Sequence, residues 1–238
     1  MPSDEEFQRV VRRFECLRVL ASNDQQRIRQ LSAEILEQME FLGAKGYQPN
    51  YRCCLTVAAM TALPLLNRKL HWLRDFRTFI LYEESYSAEF TKVDEAGVVH
   101  RGRHLRAGEA WHRGPVVLAM RDVERSGQGT GFNVVVHEIV HQIDYLNRDP
   151  DGFPPLPDSI SSDDWAKHFK AGYERLQHQL DHRQKPWLDP YGATNPAEFL
   201  AVCSEFFFDL PIYLRQQQPD IYRLLSMLFD QDPASRLV

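Results

Sequence analysis

The stretch GFNVVVHEIVHQIDYLN, residues 131–147, constrains the fold more tightly than any other part of the chain. Val134, Val135, Val136, Ile139, Val140 and Ile143 make most faces of a helix apolar, so that helix belongs in an interior. Yet His137, Glu138 and His141 interrupt it in the order H-E-x-x-H. Polar groups are costly to bury without partners, and charged groups more so. Whatever fold accepts this helix must therefore supply partners for three titratable side chains at one depth.

A metal ion would meet that demand. Residues four apart share a helix face, so the ring nitrogens of His137 and His141 can hold one ion. Zinc takes imidazole nitrogen at about 2.0–2.1 Å and prefers a tetrahedral site; a catalytic zinc keeps three protein ligands and one open position. Glu138 is rotated about 100° from His137 around the helix axis. It is poorly placed to join the ligand set but well placed to act as a general base toward a bound water.

The third ligand must come from elsewhere. A His-based pattern needs Gly and then His after the motif, and those positions hold Asp144 and Asn147, which excludes that class. A downstream glutamate remains, from Glu174, Glu198 or Glu205. Glu174 lies in DDWAKHFKAGYERLQHQL, whose charges read as a solvated helix face. Glu198 and Glu205 lie seven residues apart in the apolar run NPAEFLAVCSEFFF, on one face of a helix opened by Asn195 and Pro196. Spacing leaves both open, and Glu198 alone could be a capping acid.

The rest of the chain predicts a mostly helical α+β fold. Ser3 and Glu6 form a capping-box pattern that opens a helix to about Leu20. Asn23 or Asp24 starts a second helix, running toward Gly43, and Asn50 a third, stopped by Pro64. A small sheet is expected near residues 76–120: a strand in FRTFILYEESY, a hairpin around Glu95 to Gly97, and a buried strand in GPVVLAM. Helices then return at Val134 to Leu146, Asp163 to Leu180, Pro196 to Phe208 and Ile221 to Phe229. The order is helices, a small sheet and helices, without a βαβ alternation. Residues 1–70 are expected to form a helical segment packed on a core of residues 71–238, one compact domain in all. SGQGTGF, residues 126–132, lacks the Lys-Ser/Thr of a phosphate loop and reads as a loop entering the next helix.

Composition narrows the function classes. With 238 residues, 43% of them hydrophobic, the chain can bury a sizeable core. A net charge of −5 gives no electrostatic reason to expect nucleic acid or an anionic membrane as partner. The start MPSDEEFQRV has no basic-then-apolar leader pattern. No run is long enough to span a membrane. Cys16, Cys53, Cys54 and Cys203 form no C-x-x-C and no disulfide framework, which fits a reducing cytoplasm.

The segments HEIVHQID, GFPPL, DPYGATNPAEFLAVCSEFFF and LFDQDP together resemble Mlc titration factor A and its relatives, a group of bacterial zinc peptidases. The resemblance is strong from about Gly131 to Pro233 and weaker before Phe76. It implies a zincin-like domain of the gluzincin type that binds one Zn2+ per chain, with His137, His141 and Glu198 as ligands and Glu138 as base. It also implies that Tyr191, seven residues before Glu198, donates to the oxyanion, as a tyrosine at the same offset does in the similar catalytic domain of anthrax lethal factor. Glu205, or failing it Asp144, would then receive the free N–H of a ligating histidine. The implied partners are a peptide or protein substrate and a transcriptional repressor of the Mlc type. The motif strand VVLAMRDV departs from the VVLSWDDV of relatives.

Overall fold

In the computed structural model the first helix, α1 (Asp4–Val11), opens with the expected capping box: the Ser3 side chain accepts from the Glu6 amide, and Glu6 reaches back to the Ser3 amide. The structure describes all residues except 85–89, 94–98, 103–113, 148 and 238, and only the backbone of 90–93 and 99–102. The helix stops earlier than expected. It breaks at Arg12 and resumes as α2 (Glu15–Arg18), because the break frees backbone groups that distant residues take up. The Cys16 amide donates to Gly127 O at 3.3 Å, and the Gln128 side chain donates to Arg13 O at 2.8 Å.

The second expected helix is α3 (Ser22–Gln38), whose N-cap is Ala21 with no side-chain cap, in place of Asn23 or Asp24. It ends short of Gly43 because the next residues form a strand, β1 (Glu40–Gly43). Asn50 caps α4 (Tyr51–Ala62), accepting from the Cys53 amide at 3.0 Å, and Pro64 falls in a single 3-10 turn that follows. Strands β2 (Thr78–Tyr82) and β5 (Val116–Ala119) lie where the sequence places them. Between them β3 (Phe90–Val93) and β4 (Val99–Gly102) pair antiparallel as the expected hairpin, whose turn lies outside the described residues.

The main sheet has the order β1-β2-β5 and is parallel throughout, with Phe41 beside Phe79 and Phe79 beside Val116. The β1-α4-β2 crossover is a βαβ unit that the sequence reading does not anticipate. Parallel strands need such a crossover of a dozen or more residues, and α4 provides it. The remaining elements are α5 (Met120–Arg125), α6 (Val134–Asp144), α7 (Ser162–Asp181), α8 (Pro196–Asp209), α9 (Pro211–Gln217) and α10 (Pro219–Phe229). The mostly helical α+β architecture is as expected.

One cluster of buried residues extends from Phe7 through Phe79, Ile139 and Phe207 to Ala234. Within it α6 packs on α8. Val135, Val136, Ile139 and Val140 are fully or almost fully buried, and so are Phe199, Leu200, Cys203 and Phe207. Each of the valine, isoleucine, leucine and phenylalanine side chains contributes about 1.5–3 kcal/mol by leaving water. An unpaired carboxylate in the same place would cost more than that, so the acids of this interface need partners. All four cysteines are free. No helix among the described residues is long and apolar enough to cross a membrane.

Candidate metal centre

α6 starts from Asn133, whose side chain accepts from the Val136 amide at 3.1 Å, while the Val134 amide donates to Ser126 Oγ at 3.0 Å. With the N-terminus fixed, His137 and His141 lie on one face, rings 4.7 Å apart and nearly perpendicular. α8 starts from Asn195 with Pro196 in its first turn. Asn195 accepts from the Glu198 amide at 2.9 Å, so the cap engages the backbone of Glu198 and leaves its carboxylate free. That carboxylate points at the histidines. Glu198 Oε2 is 3.0 Å from His137 Nε2 and 3.3 Å from His141 Nε2, and the two Nε2 atoms are 3.1 Å apart. Among the described residues this is the group of His, Cys, Asp and Glu whose donor atoms converge closely enough to hold a metal.

The triplet fits a zinc-sized ion. Donors about 2.0–2.1 Å from a tetrahedral centre lie roughly 3.3–3.4 Å from one another, and the three observed separations fall at or just below that. Charge points the same way. Glu138, Glu198 and Glu205 gather around the two imidazoles, all but Glu198 buried. Three carboxyl groups gathered in a poorly solvated site favour a cation among them. In the metal-free chain a proton takes that part. Burial disfavours charge on His137, but its hydrogen bonds to Glu198 and Glu205 outweigh this and raise its pKa well above the usual value. Burial likewise opposes the charge on Glu198, yet hydrogen bonds from His137 and His141 hold its carboxyl well below the usual range. Proton and metal compete for the same lone pairs.

Behind the triplet Glu205 receives two donors. Its Oε1 accepts from His137 Nδ1 at 2.8 Å, and its Oε2 from the Asn133 amide at 2.5 Å. A proton on Nδ1 leaves the Nε2 lone pair facing the site. Asp144 is turned elsewhere: its Oδ2 accepts from the Gly152 amide at 2.8 Å, anchoring the GFPPL segment. Burial pushes the Asp144 carboxyl up to about 6, and Oδ1 has no hydrogen-bond partner among the described residues. Glu174 sits on the surface of α7, 3.8 Å from Lys170, as a solvated face requires.

Glu138 is buried beside the histidines but outside the converging triplet. Burial raises its pKa, and His137 and His141 only partly offset this. Tyr191 lies in a 3-10 turn, Pro190–Ala193, where Asp189 accepts from its amide at 2.8 Å and its carbonyl accepts from Thr194 Oγ1 at 2.7 Å. Its ring is 5.9 Å from that of His137. Burial, together with the Glu198 charge and a hydrogen bond to Glu198, pushes the phenol pKa up, so it stays a donor.

One residue of this neighbourhood escapes the sequence reading. Asp209, at the end of α8, accepts from the amides of Gly129, Thr130 and Gly131 at 2.9, 2.7 and 2.6 Å. The signal is nonetheless there: an acid after three phenylalanines, one turn beyond Glu205, at a helix C-terminus where negative charge is unfavourable.

The chain matches, from residue 2 to residue 230, the model of a family described as glucose-regulated metallo-peptidase M90. It is 34% identical over 222 residues to the Mlc titration factor A of Serratia proteamaculans (strain 568), covering 92% of this chain and 84% of that protein. It is 30% identical over 220 residues to the Mlc titration factor A of Cronobacter sakazakii (strain ATCC BAA-894), covering 92% and 83%. The likeness thus reaches well before Phe76, where the motifs alone make it weak. A match that takes in the helical N-terminal segment, the sheet and both helices of the metal centre makes this chain a member of the glucose-regulated metallo-peptidase M90 family.

Proposed function

We propose that the protein is a zinc-dependent peptidase. The observation that carries this reading is the convergence of His137 Nε2, His141 Nε2 and Glu198 Oε2 at 3.0–3.3 Å, with Glu138 buried next to them and free of the triplet. A zinc ion held there would polarise the scissile carbonyl and lower the pKa of a water. Glu138 takes the proton of the attacking water and returns it to the leaving amine. Tyr191 turns its hydroxyl from Glu198 to the carbonyl oxygen as negative charge grows there. Glu205 keeps His137 in the tautomer that offers Nε2. The substrate is a peptide or protein, and the site of action is the cytoplasm.

Elemental analysis of the purified protein, followed by peptide turnover with and without a chelator, tests this. About one zinc per chain, and turnover that chelation abolishes and zinc restores, is the expected result. A chain without metal, or turnover indifferent to chelation, overturns it.

A second reading rests on the relatives' name, Mlc titration factor A. On it, the chain binds and sequesters a transcriptional repressor of the Mlc type, and catalysis is secondary. Glu138 separates the two, because a binding protein has no use for a base beside the donor triplet. Repressor capture by a Glu138→Gln variant that has lost turnover would show the two activities to be independent.

A further inference from the structure

We propose that Asp209 is the positioning residue that sets the register of α6 against α8, and with it the spacing of the three donor atoms. The inference rests on the reading above only in taking those donors as a metal site.

Gly127, Gly129 and Gly131 all have left-handed backbone, with φ of 66°, 74° and 81°. The Gly127 amide donates to Phe132 O at 2.9 Å, closing the loop on itself. Left-handed residues spaced this way turn successive amides into one concavity, an arrangement that receives an anion. Here the anion is internal. Asp209 Oδ1 takes the Gly129 amide, and Oδ2 takes those of Thr130 and Gly131. The loop has little freedom to arrange itself otherwise. A Cβ at Gly131 would meet the Phe206 ring at 2.8 Å, and one at Gly127 would meet Cys16 Sγ at 2.6 Å.

The loop runs directly into the metal centre. Two residues after Gly131, the Asn133 amide donates to Glu205, whose other oxygen holds His137 Nδ1. Glu198, Glu205 and Asp209 all come from α8, so one helix supplies a donor, the anchor of His137 and the clamp on the loop that starts α6. Glu205 fixes the ring but makes a single backbone contact with the loop. Asp209 makes three and stops α6 from sliding along α8. A slide of a few tenths of an ångström would carry His137 Nε2 out of its 3.0 Å relation to Glu198 Oε2. Asp209 bonds to the loop amides and to none of the three donors, so it acts through the loop.

The test measures zinc affinity of the full chain by competition with a chromophoric chelator. Asp209→Asn replaces one acceptor by a donor that faces the same amides, and Asp209→Ser removes the carboxylate. Each is expected to weaken zinc binding about 10–100-fold, as loss of an outlying support does, with circular dichroism unchanged. Hydrogen exchange adds a readout that a purely structural clamp would not move. By reciprocity of coupling, zinc should slow exchange at the amides of Gly129, Thr130 and Gly131 in the wild type by more than it slows core amides away from the site, and this excess should vanish in the variants. Wild-type affinity in folded variants overturns the proposal. So does a wild-type loop whose exchange ignores zinc, a result that needs no variant to fold. A chain that meets both expectations but cleaves no peptide refutes the peptidase reading alone. A peptidase whose zinc affinity ignores Asp209 refutes this inference alone, and a wild-type chain that binds no zinc refutes both.

Discussion

Asp144 is fully buried, holds the Gly152 amide with one oxygen, and leaves the other without a partner among the described residues. Its carboxyl ionises near 6 in the fold against 3.8 in a free side chain. A carboxyl raised in this way favours the folded state while protonated and opposes it once charged. Its contribution is full below about pH 4 and is lost as pH rises to about 6. Two pH units at about 1.4 kcal/mol each make a loss of roughly 3 kcal/mol, a large part of the 5–15 kcal/mol typical of a domain. An asparagine in its place would keep an acceptor for the Gly152 amide and never ionise. In metal-free protein, the unfolding free energy of Asp144→Asn minus that of wild type should therefore rise between about pH 4 and pH 6 and level off, by about 2–3 kcal/mol. Urea denaturation at half-unit pH steps measures it, and taking the difference removes the other titrating groups. A difference curve flat from about pH 4 to pH 8 would refute the reasoning, as would one that falls.

Glu138→Gln should retain zinc and fold while kcat falls about 10²–10⁴-fold; a zinc-loaded variant with wild-type turnover would end the proposed mechanism. Tyr191→Phe should bind zinc normally and lose about 10²–10³-fold in kcat at most, and a loss confined to KM would contradict an oxyanion role. Glu198→Gln should abolish tight zinc binding, whereas Glu205→Gln should weaken it about 10–100-fold; the reverse order, read by chelator competition, would exchange their roles.

The convergence of His137, His141 and Glu198 is legible in the sequence because these residue types are anomalous for their surroundings. Two histidines and three acids in apolar helices announce that something must pair with them, and helical spacing says which share a face. The choice between Glu198 and Glu205 is not legible, because both lie on the same face. It turns on Asn195 capping the Glu198 amide and on Asn133 reaching Glu205, and both are contacts of particular atoms. Strand β1 is hidden for a different reason. EFLG follows a strong helical pattern, and the strand that recruits it pairs Glu40 with Thr78, far along the chain. The break after α1 and the clamp by Asp209 are of the same kind. Each is decided by backbone groups finding partners more than seventy residues away, and although the acid at position 209 stands out for its place, local periodicity names neither partner.

His137 and Glu198 stand 61 residues apart in sequence. On a ribosome adding about 5–20 residues per second, the two histidines wait roughly 3–12 s for the carboxylate to be made. Through that interval α6 has α4, β5 and the 3-10 turn Leu70–Leu73 to pack on but lacks α8, and the two imidazoles without the carboxylate would suit any divalent metal that favours nitrogen, copper and nickel included. Docking of α8 would bring in the third donor and complete a set that suits a tetrahedral ion. On the proposed reading, choice of metal belongs to the finished fold and not to the growing chain. A metal acquired early has to be surrendered, or tested against that geometry, before α8 can close on α6.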